Sequence, residues 1–452
     1  MATWDVSTLL TEDRRHLLHP LYHPMDHAEP HVWVRGKGIF LTDASGREYI
    51  DGLSGLWNVN VGHGRRELAE AAAEQMSSLA FTTNYAGSAN VPAIRLAHRL
   101  TELAYPNLKA VFFTSGGAES NESAFKTARF YWKAKGRPDK VKFIARQLAY
   151  HGVTMAAMSA TGIPMYTKMF EPRVPNFIHT AAPYAYRFEG AKPGESVGQA
   201  AARMLEESIL REGPDSVAAF IAEPVQGAGG IIPPPDDYFP RVREVCTKHD
   251  VLFIADEVIT GFGRTGRWFA LQRWGLEPDI LSFAKGITSG YLPLGGIMVS
   301  DAIHQAMVSV PYADRWMHAY TYSGHPTCCA VALRNLEILE KEGLPERAEK
   351  MGKRLLEGAR TLMDLKAVGE VRGLGLMVGV ELVADRATKA AFDPAQNVIG
   401  RVRKELEARG LFTRVVRDII LLAPPLVISE DEVDRLVEIL RGGISAVLPD
   451  RA

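Results

Sequence analysis

Between residues 110 and 300 the chain repeats one pattern: a short, mostly apolar run, then a longer stretch with helical periodicity. The runs are Ala110–Phe113, Val141–Ile144, Ala218–Ala222, Val251–Ile254, Ile280–Phe283 and Ile297–Val299. A strand with one face in water alternates apolar and polar residues. Runs that do not alternate suit strands covered on both faces, and the intervening helices suit the crossovers that parallel strands require. The pattern predicts an α/β chain built on a mostly parallel central sheet.

Past residue 326 the texture changes. Helical periodicity runs through Cys328–Glu342 and Glu346–Leu365. A strand-like Leu376–Val383 follows, then a helix near Ile399–Arg409 and short strands near Leu411–Val415 and Ile419–Leu422. Ser429, with Glu432 three residues on, is a capping-box signature, so a last helix is expected to open there. Near the N-terminus, Val32–Val34 and Ile39–Leu41, split by Gly36 and Gly38, read as small strands able to join this second lobe. The expected organisation is an N-terminal segment 1–60, a large domain 61–326, and a smaller α+β domain 327–452 that the N-terminal segment joins. At roughly 150 residues per domain, 452 residues suffice for two or three lobes. No fixed-period repeat and no low-complexity tract is present.

The composition, 46% hydrophobic and 23% charged, is that of ordinary globular proteins and excludes disorder, collagen and coiled coil. The 52 basic and 53 acidic side chains nearly cancel, so no overall field would hold a nucleic-acid backbone. Nowhere do about 18 apolar residues follow one another, so no membrane span is expected. The first residues lack a basic stretch followed by an apolar one, so no signal peptide is expected. Three cysteines are too few for a disulfide scaffold, and Cys328 and Cys329 are adjacent; reduced thiols and a cytoplasmic location are expected. His16, His19, His23, His27 and His31 crowd the N-terminus. Their spacing matches no compact ligand set, and Pro20, Pro24 and Pro30 break any helix that could align them, so no metal is expected.

Four local features carry chemistry, each at or after the end of an expected strand; for Asp256 that is the carboxyl edge where open α/β sheets bind ligands. Thr114-Ser-Gly-Gly-Ala-Glu119 opens a helix; a glycine pair turns tightly, and the free N–H groups of a helix start can hold a phosphate. Alone, such a run is more often an ordinary strand-to-helix turn. Asp256 ends the strand 251–254, where a carboxylate can stabilise a cationic ring nitrogen, or simply cap a helix. Lys285, flanked by Phe283, Ala284 and Ile287, is set to lose solvation, which lowers a lysine toward the nucleophilic amine; alone, it reads as a lysine reaching for water. Tyr150, in Tyr150-His151-Gly152, offers a ring to stack on a planar group, or to pack in a core. Together they supply a phosphate cradle, an acid for a ring nitrogen, a lysine for an imine and a stacking ring. That set suits pyridoxal 5'-phosphate (PLP).

At these residues the chain resembles the class III, fold type I aminotransferases, over about residues 20–447. Phe253-Ile-Ala-Asp-Glu-Val-Ile-Thr-Gly-Phe-Gly-Arg-Thr-Gly266, followed by Asp279-Ile-Leu-Ser-Phe-Ala-Lys-Gly286, is similar to that family's cofactor-attachment signature. The resemblance implies that Lys285 joins PLP through an imine and later moves a proton, and that Asp256 pairs with the pyridine nitrogen. It implies that Tyr150 and Val258 cover the two ring faces, and that Glu223 is an acid on the cofactor side. Ser115, Gly116, Gly117 and Ala118 are the implied phosphate site, with His151 in the cofactor set beside Tyr150. Many relatives have serine where Gly116 and Ala118 stand, so the phosphate would lean on the backbone N–H groups of Gly117 and Ala118. Thr321, in Tyr320–Pro326, would reach the phosphate of the neighbouring subunit's cofactor. A homodimer with two shared sites is therefore implied, with pairing into tetramers left open.

Within the family the chain looks most like the omega-amino acid or amine:pyruvate transaminases of the β-alanine–pyruvate type. Asp51–His63 resembles the mouth of their substrate pocket, with Trp57 lining it; Tyr85, Tyr150 and Tyr320 complete the implied walls, the surroundings of Tyr85 and Tyr320 varying within the subgroup. Members that use 2-oxoglutarate through a glutamate gate carry Glu where Ala228 stands. There the acid masks an arginine, which Arg414 matches here; unmasked, it would bind a carboxylate or swing aside for a plain amine. The implied reaction moves an amino group from an omega-amino acid or primary amine to pyruvate. The donor stays open among β-alanine, taurine, a polyamine such as putrescine, and an arylalkylamine. The competing readings are a 2-oxoglutarate-linked aminotransferase, a dialkylglycine-decarboxylase-like or aminomutase PLP enzyme, and a non-catalytic cofactor-binding scaffold.

Overall fold

The computed structural model describes residues 4–449 except 26 and 28. Near the N-terminus β1 (Trp33–Lys37), β2 (Phe40–Asp43) and β3 (Glu48–Asp51) form an antiparallel ladder. Seven strands then build the central sheet: β4 (Leu108–Thr114), β5 (Lys142–Arg146), β6 (Phe177–Thr180), β7 (Val217–Ala222), β8 (Leu252–Asp256), β9 (Ile280–Phe283) and β10 (Gly295–Ser300). Their order is β4-β10-β9-β8-β7-β5-β6. Only β10 runs against its neighbours, β4 and β9; the remaining pairings are parallel. The expected mostly parallel α/β sheet is thus present. Every residue of β7, β8 and β9 is buried, as their unalternating runs require. Each Val, Ile, Leu or Phe so buried contributes about 1.5–3 kcal/mol.

The six expected runs lie in β4, β5 and β7–β10. β6 escaped the pattern because Phe-Ile-His-Thr is a half-buried edge strand with mixed polarity. β3 escaped for a similar reason, since Glu-Tyr-Ile-Asp begins and ends on an acid.

The C-terminal part holds β11 (Val368–Gly373), β12 (Val378–Leu382), β13 (Leu411–Phe412), β14 (Arg414–Val416) and β15 (Ile419–Leu422). An antiparallel sheet runs β11-β12-β15-β14, while β13 leaves it to pair in parallel with β3, setting Leu411 beside Ile50. The expected single strand 411–415 is therefore two strands in two sheets, broken at Thr413, whose buried hydroxyl bonds the carbonyl of Leu421. The expected helix 346–365 ends at Arg360 and continues as a 3-10 turn to Asp364. The last helix, Glu430–Val447, opens with the full capping box of Ser429 and Glu432.

Two buried guanidiniums fasten this part to the central sheet. Arg264 bonds Pro424 O at 2.6 Å, Ser54 Oγ at 3.0 Å and Asn60 Oδ1 at 2.8 Å, and burial pushes it down to about 9. Arg372, on β11, meets Glu381 at 2.7 Å and donates to the carbonyls of Gly230 and Ile231 at 2.7 and 2.8 Å. The second contact fixes the loop that follows β7.

Topology sets where chemistry can gather. Parallel strands end at one edge, and the register places Ala222 beside Ala255 and Asp256 beside Ser282. The residues that follow β7, end β8 and follow β9 are therefore neighbours: Glu223, Asp256 and Lys285.

Candidate active site

A cavity of about 180 Å³ opens at that edge, lined among others by Gly117, Ala118, Tyr150, Asp256, Val258 and Lys285. Asp256 is buried at its floor. Its Oδ2 accepts from His151 Nδ1 at 2.7 Å and from Asn121 Nδ2 at 2.8 Å, while Oδ1 takes the N–H of Val258 at 3.1 Å. A carboxylate oxygen accepts two hydrogen bonds, so Oδ1 keeps room for one further donor. Lys285 stands in the left-handed region (φ 49°) at the head of the short turn Lys285–Ile287. Burial pushes its amine down to about 8, against the pull of the Asp256 and Glu223 carboxylates.

The helix Gly117–Ala134 begins at the cavity with Gly116 as its cap and no side-chain cap bond. Among the described residues nothing accepts from the N–H of Gly117 or Ala118, so a helix start is left open toward the cavity. A side chain at 117 would not fit: a Cβ there would lie 2.7 Å from Val258 Cγ1. Glu223 is buried beside this, with Oε1 accepting from the N–H of Tyr150 and Oε2 from that of Gly227, both at 2.9 Å. Desolvation pushes its carboxyl up. Its bonds hold the Tyr150 turn and the Gly227 loop rather than reaching into the cavity.

A model of the class III aminotransferases matches residues 22–444. The chain belongs to the class III aminotransferases. A putrescine–pyruvate aminotransferase from Pseudomonas aeruginosa is 39% identical over 432 residues, 95% of this chain and 94% of that one. A diaminobutyrate–2-oxoglutarate transaminase from Halomonas elongata is 40% identical over 441 residues, with the same coverage of 95% and 94%. Among solved structures, a thermostable (S)-enantioselective omega-transaminase from Thermomicrobium roseum superposes with a TM-score of 0.95 at 51% identity, over 99% of this chain and 100% of that one.

This aminotransferase family is PLP-dependent, and the cavity fits that group. An open helix start suits a phosphate, a carboxylate oxygen with a spare lone pair suits a ring N–H, and a lysine with a lowered pKa suits an aldehyde.

The structure gathers Gly117, Ala118, Tyr150, His151, Glu223, Asp256, Val258 and Lys285 around the cavity. Ser115 and Gly116 lead into the helix start, Ser115 giving its N–H to Glu119 at 2.8 Å. Tyr320 reaches the same helix start, its hydroxyl 3.4 Å from Glu119 O. Other expected residues lie outside the cavity of their own chain. Trp57 is 2% exposed and packs with Val225, Ile231 and Ile259, while its neighbour Leu56 lines the cavity. Thr321 and Tyr85 are exposed; Asn84 bonds the carbonyls of Ser323 and Gly324 and so ties their two loops together. Ala228 is buried in the loop after β7. Arg414 meets the hydroxyl of Tyr166 at 3.2 Å, and the Tyr166 ring lies 5.2 Å from that of Tyr150, so Arg414 reaches the cavity lining through two tyrosines.

Asn121 and Leu56 were not singled out in the sequence. Asn121 is one helical turn past Gly117, which was available as a signal: a polar residue on the buried face of the helix that opens the site.

Proposed function

We propose that the protein transfers an amino group from a primary amine or omega-amino acid to pyruvate, with PLP held in the cavity beside Lys285. The observation that carries the acceptor is Arg414: among the described residues its guanidinium bonds the Tyr166 hydroxyl and forms no salt bridge. A free guanidinium forks onto a carboxylate with two parallel hydrogen bonds. Ala228 provides no acid to neutralise it. The putrescine–pyruvate relative supports this reading.

PLP, when bound, supplies an electron sink for the bond broken at the donor carbon. The chain supplies the rest. The open N–H groups of Gly117 and Ala118, with Ser115 at hand, would hold the phosphate. Tyr150 and Val258 would flank the ring, and Asp256 Oδ1 would accept from the ring nitrogen and favour its protonated form. Asn121 and His151 fix the Asp256 carboxylate so that it need not reorganise during reaction. Lys285 Nζ, lowered by burial to about 8, would in its uncharged form take the proton from the donor carbon and deliver it again.

A second copy of the chain completes the site in this reading. Thr321 and Tyr85 sit on an exposed face with Phe81 and Tyr322, apolar surface that suits a subunit partner. The three cysteines are unpaired and buried, which suits a reducing cytoplasm.

The test is product analysis of the PLP-loaded enzyme, with putrescine, β-alanine and an arylalkylamine as donors. Alanine formed from pyruvate, without glutamate from 2-oxoglutarate, supports the assignment. Glutamate alone overturns the argument from Ala228 and Arg414. Carbon dioxide release, or turnover without an acceptor, points to the decarboxylase or aminomutase chemistry.

A further inference from the structure

The turn that carries Lys285 is under conformational strain. Lys285 and Ser289 both lie in the left-handed region at φ 49°, four residues apart, in a segment only five residues long. That region disfavours any residue with a Cβ, by roughly 1–2 kcal/mol each, so something outside the turn has to hold it.

The holding group comes from the helix Pro326–Lys341, far along the chain. Asn335, fully buried at its centre, donates from Nδ2 to the carbonyls of Gly286 and Ile287, both at 2.9 Å. Among the described residues the Ile287 carbonyl is bonded by Asn335 alone. Asn335 also carries a liability, since its Oδ1 is buried without a partner. An unsatisfied buried polar atom costs about 1–3 kcal/mol, and a leucine of similar size would avoid it. The asparagine therefore serves through its two N–H groups, not through packing. The turn also meets Asn60, whose Nδ2 would lie 2.6 Å from a Cβ on Gly286 and itself donates to Phe262 O at 2.9 Å.

We infer that Asn335 is a positioning residue for the reaction: its amide clamps Gly286 and Ile287, and so holds the Lys285 amine in the cavity facing Asp256. The inference rests on the proposed role of Lys285. It assigns a task to a side chain that does not line the cavity and lies 50 residues from the lysine. With the clamp gone, the strained turn relaxes, water reaches the amine, and Lys285 drifts toward ordinary lysine behaviour.

The test uses Asn335→Leu, which keeps size and loses both donors, and Asn335→Ser, smaller and able to fold around a water if the leucine is not accepted. Asn335→Gln keeps the amide. Competitive acetylation of the cofactor-free protein across pH, read by peptide mass spectrometry, reports the Lys285 amine directly. Steady-state kinetics of the loaded enzyme is the second readout. Folded Leu or Ser variants should label Lys285 with a pH midpoint moved up toward free lysine. Their kcat should fall about 10- to 100-fold, the scale of an ångström of misplacement, with KM changed less and Gln recovering part of the loss. A folded variant with an unchanged labelling profile overturns the inference, whether or not its kcat falls. A shifted profile in a protein whose parent shows no transamination leaves the clamp standing and removes the proposed function instead.

Discussion

His151 Nδ1 lies 2.7 Å from Asp256 Oδ2, with the histidine ring and the carboxylate both buried. The ring N–H at Nδ1 is spent on the carboxylate, and Nε2 is buried without a partner. The histidine thus serves the aspartate. With Asn121 it saturates Oδ2 and leaves Oδ1 as the oxygen with capacity to spare.

Asn121→Leu removes one of the two donors on Oδ2 and frees the carboxylate to rotate. A hydrogen bond to a charged group is worth about 1.5–3 kcal/mol, so kcat should fall roughly 10- to 100-fold. Because Asn121 Nδ2 also donates to the buried His151 carbonyl, the melting temperature of the cofactor-free protein should fall by a few degrees as well. Kinetics beside a thermal melt checks this; a kcat within twofold of the parent contradicts it.

Lys285 links stability to pH. The folded chain releases this proton near 8, whereas the ordinary lysine of an unfolded chain keeps it to about 10.5. Between those values the unfolded state binds more protons, so stability rises with pH through that window. Lys285→Met should flatten part of the rise and be the more stable protein below pH 8. Lys140, also held near 8 by burial, contributes equally to both proteins. Urea midpoints of the cofactor-free proteins at pH 7 and 9.5 measure the difference; parallel curves would count against the lowered amine.

Arg414→Leu removes the group assigned to the acceptor's carboxylate. The KM for pyruvate should rise about 10- to 100-fold, while kcat/KM for a plain amine donor stays within about threefold. Equal losses for both substrates would mean that Arg414 supports the fold around Tyr166 instead.

Gly117→Ala drives a methyl group into Val258, since the added Cβ meets Cγ1 at 2.7 Å. Either Val258 or the helix start has to retreat, a strain of about 1–3 kcal/mol that falls on the cofactor cradle. The PLP dissociation constant should rise at least about tenfold, as read by fluorescence titration. Unchanged affinity would show that the helix start does not hold the phosphate.

Much of the fold was legible because it depends on near neighbours in sequence. Apolar runs without alternation marked β7, β8 and β9, and Ser429 with Glu432 marked the start of the last helix. β11 was not legible: Val-Gly-Glu-Val-Arg-Gly looks polar until Arg372 meets Glu370 two residues back on the same strand and Glu381 across the sheet on β12. The split of 411–415 was hidden for a related reason, because β13 pairs with β3, some 360 residues earlier.

The candidate site divides the same way. The residues of the cofactor signature announce themselves locally, since Asp256 and Lys285 each belong to a strand end whose apolar run is contiguous. The amino-acid sequence by itself thus determined the sheet, the family and the chemistry of these side chains. Only the tertiary structure decided what supports them: Asn121 reaches Asp256 across 135 residues, and Asn335 reaches the Lys285 turn across 48 and 49. A lone asparagine in an amphipathic helix has no periodic or motif signal. Its role exists only once folding buries it against a particular carboxylate or carbonyl, where an unmade hydrogen bond carries its full desolvation penalty.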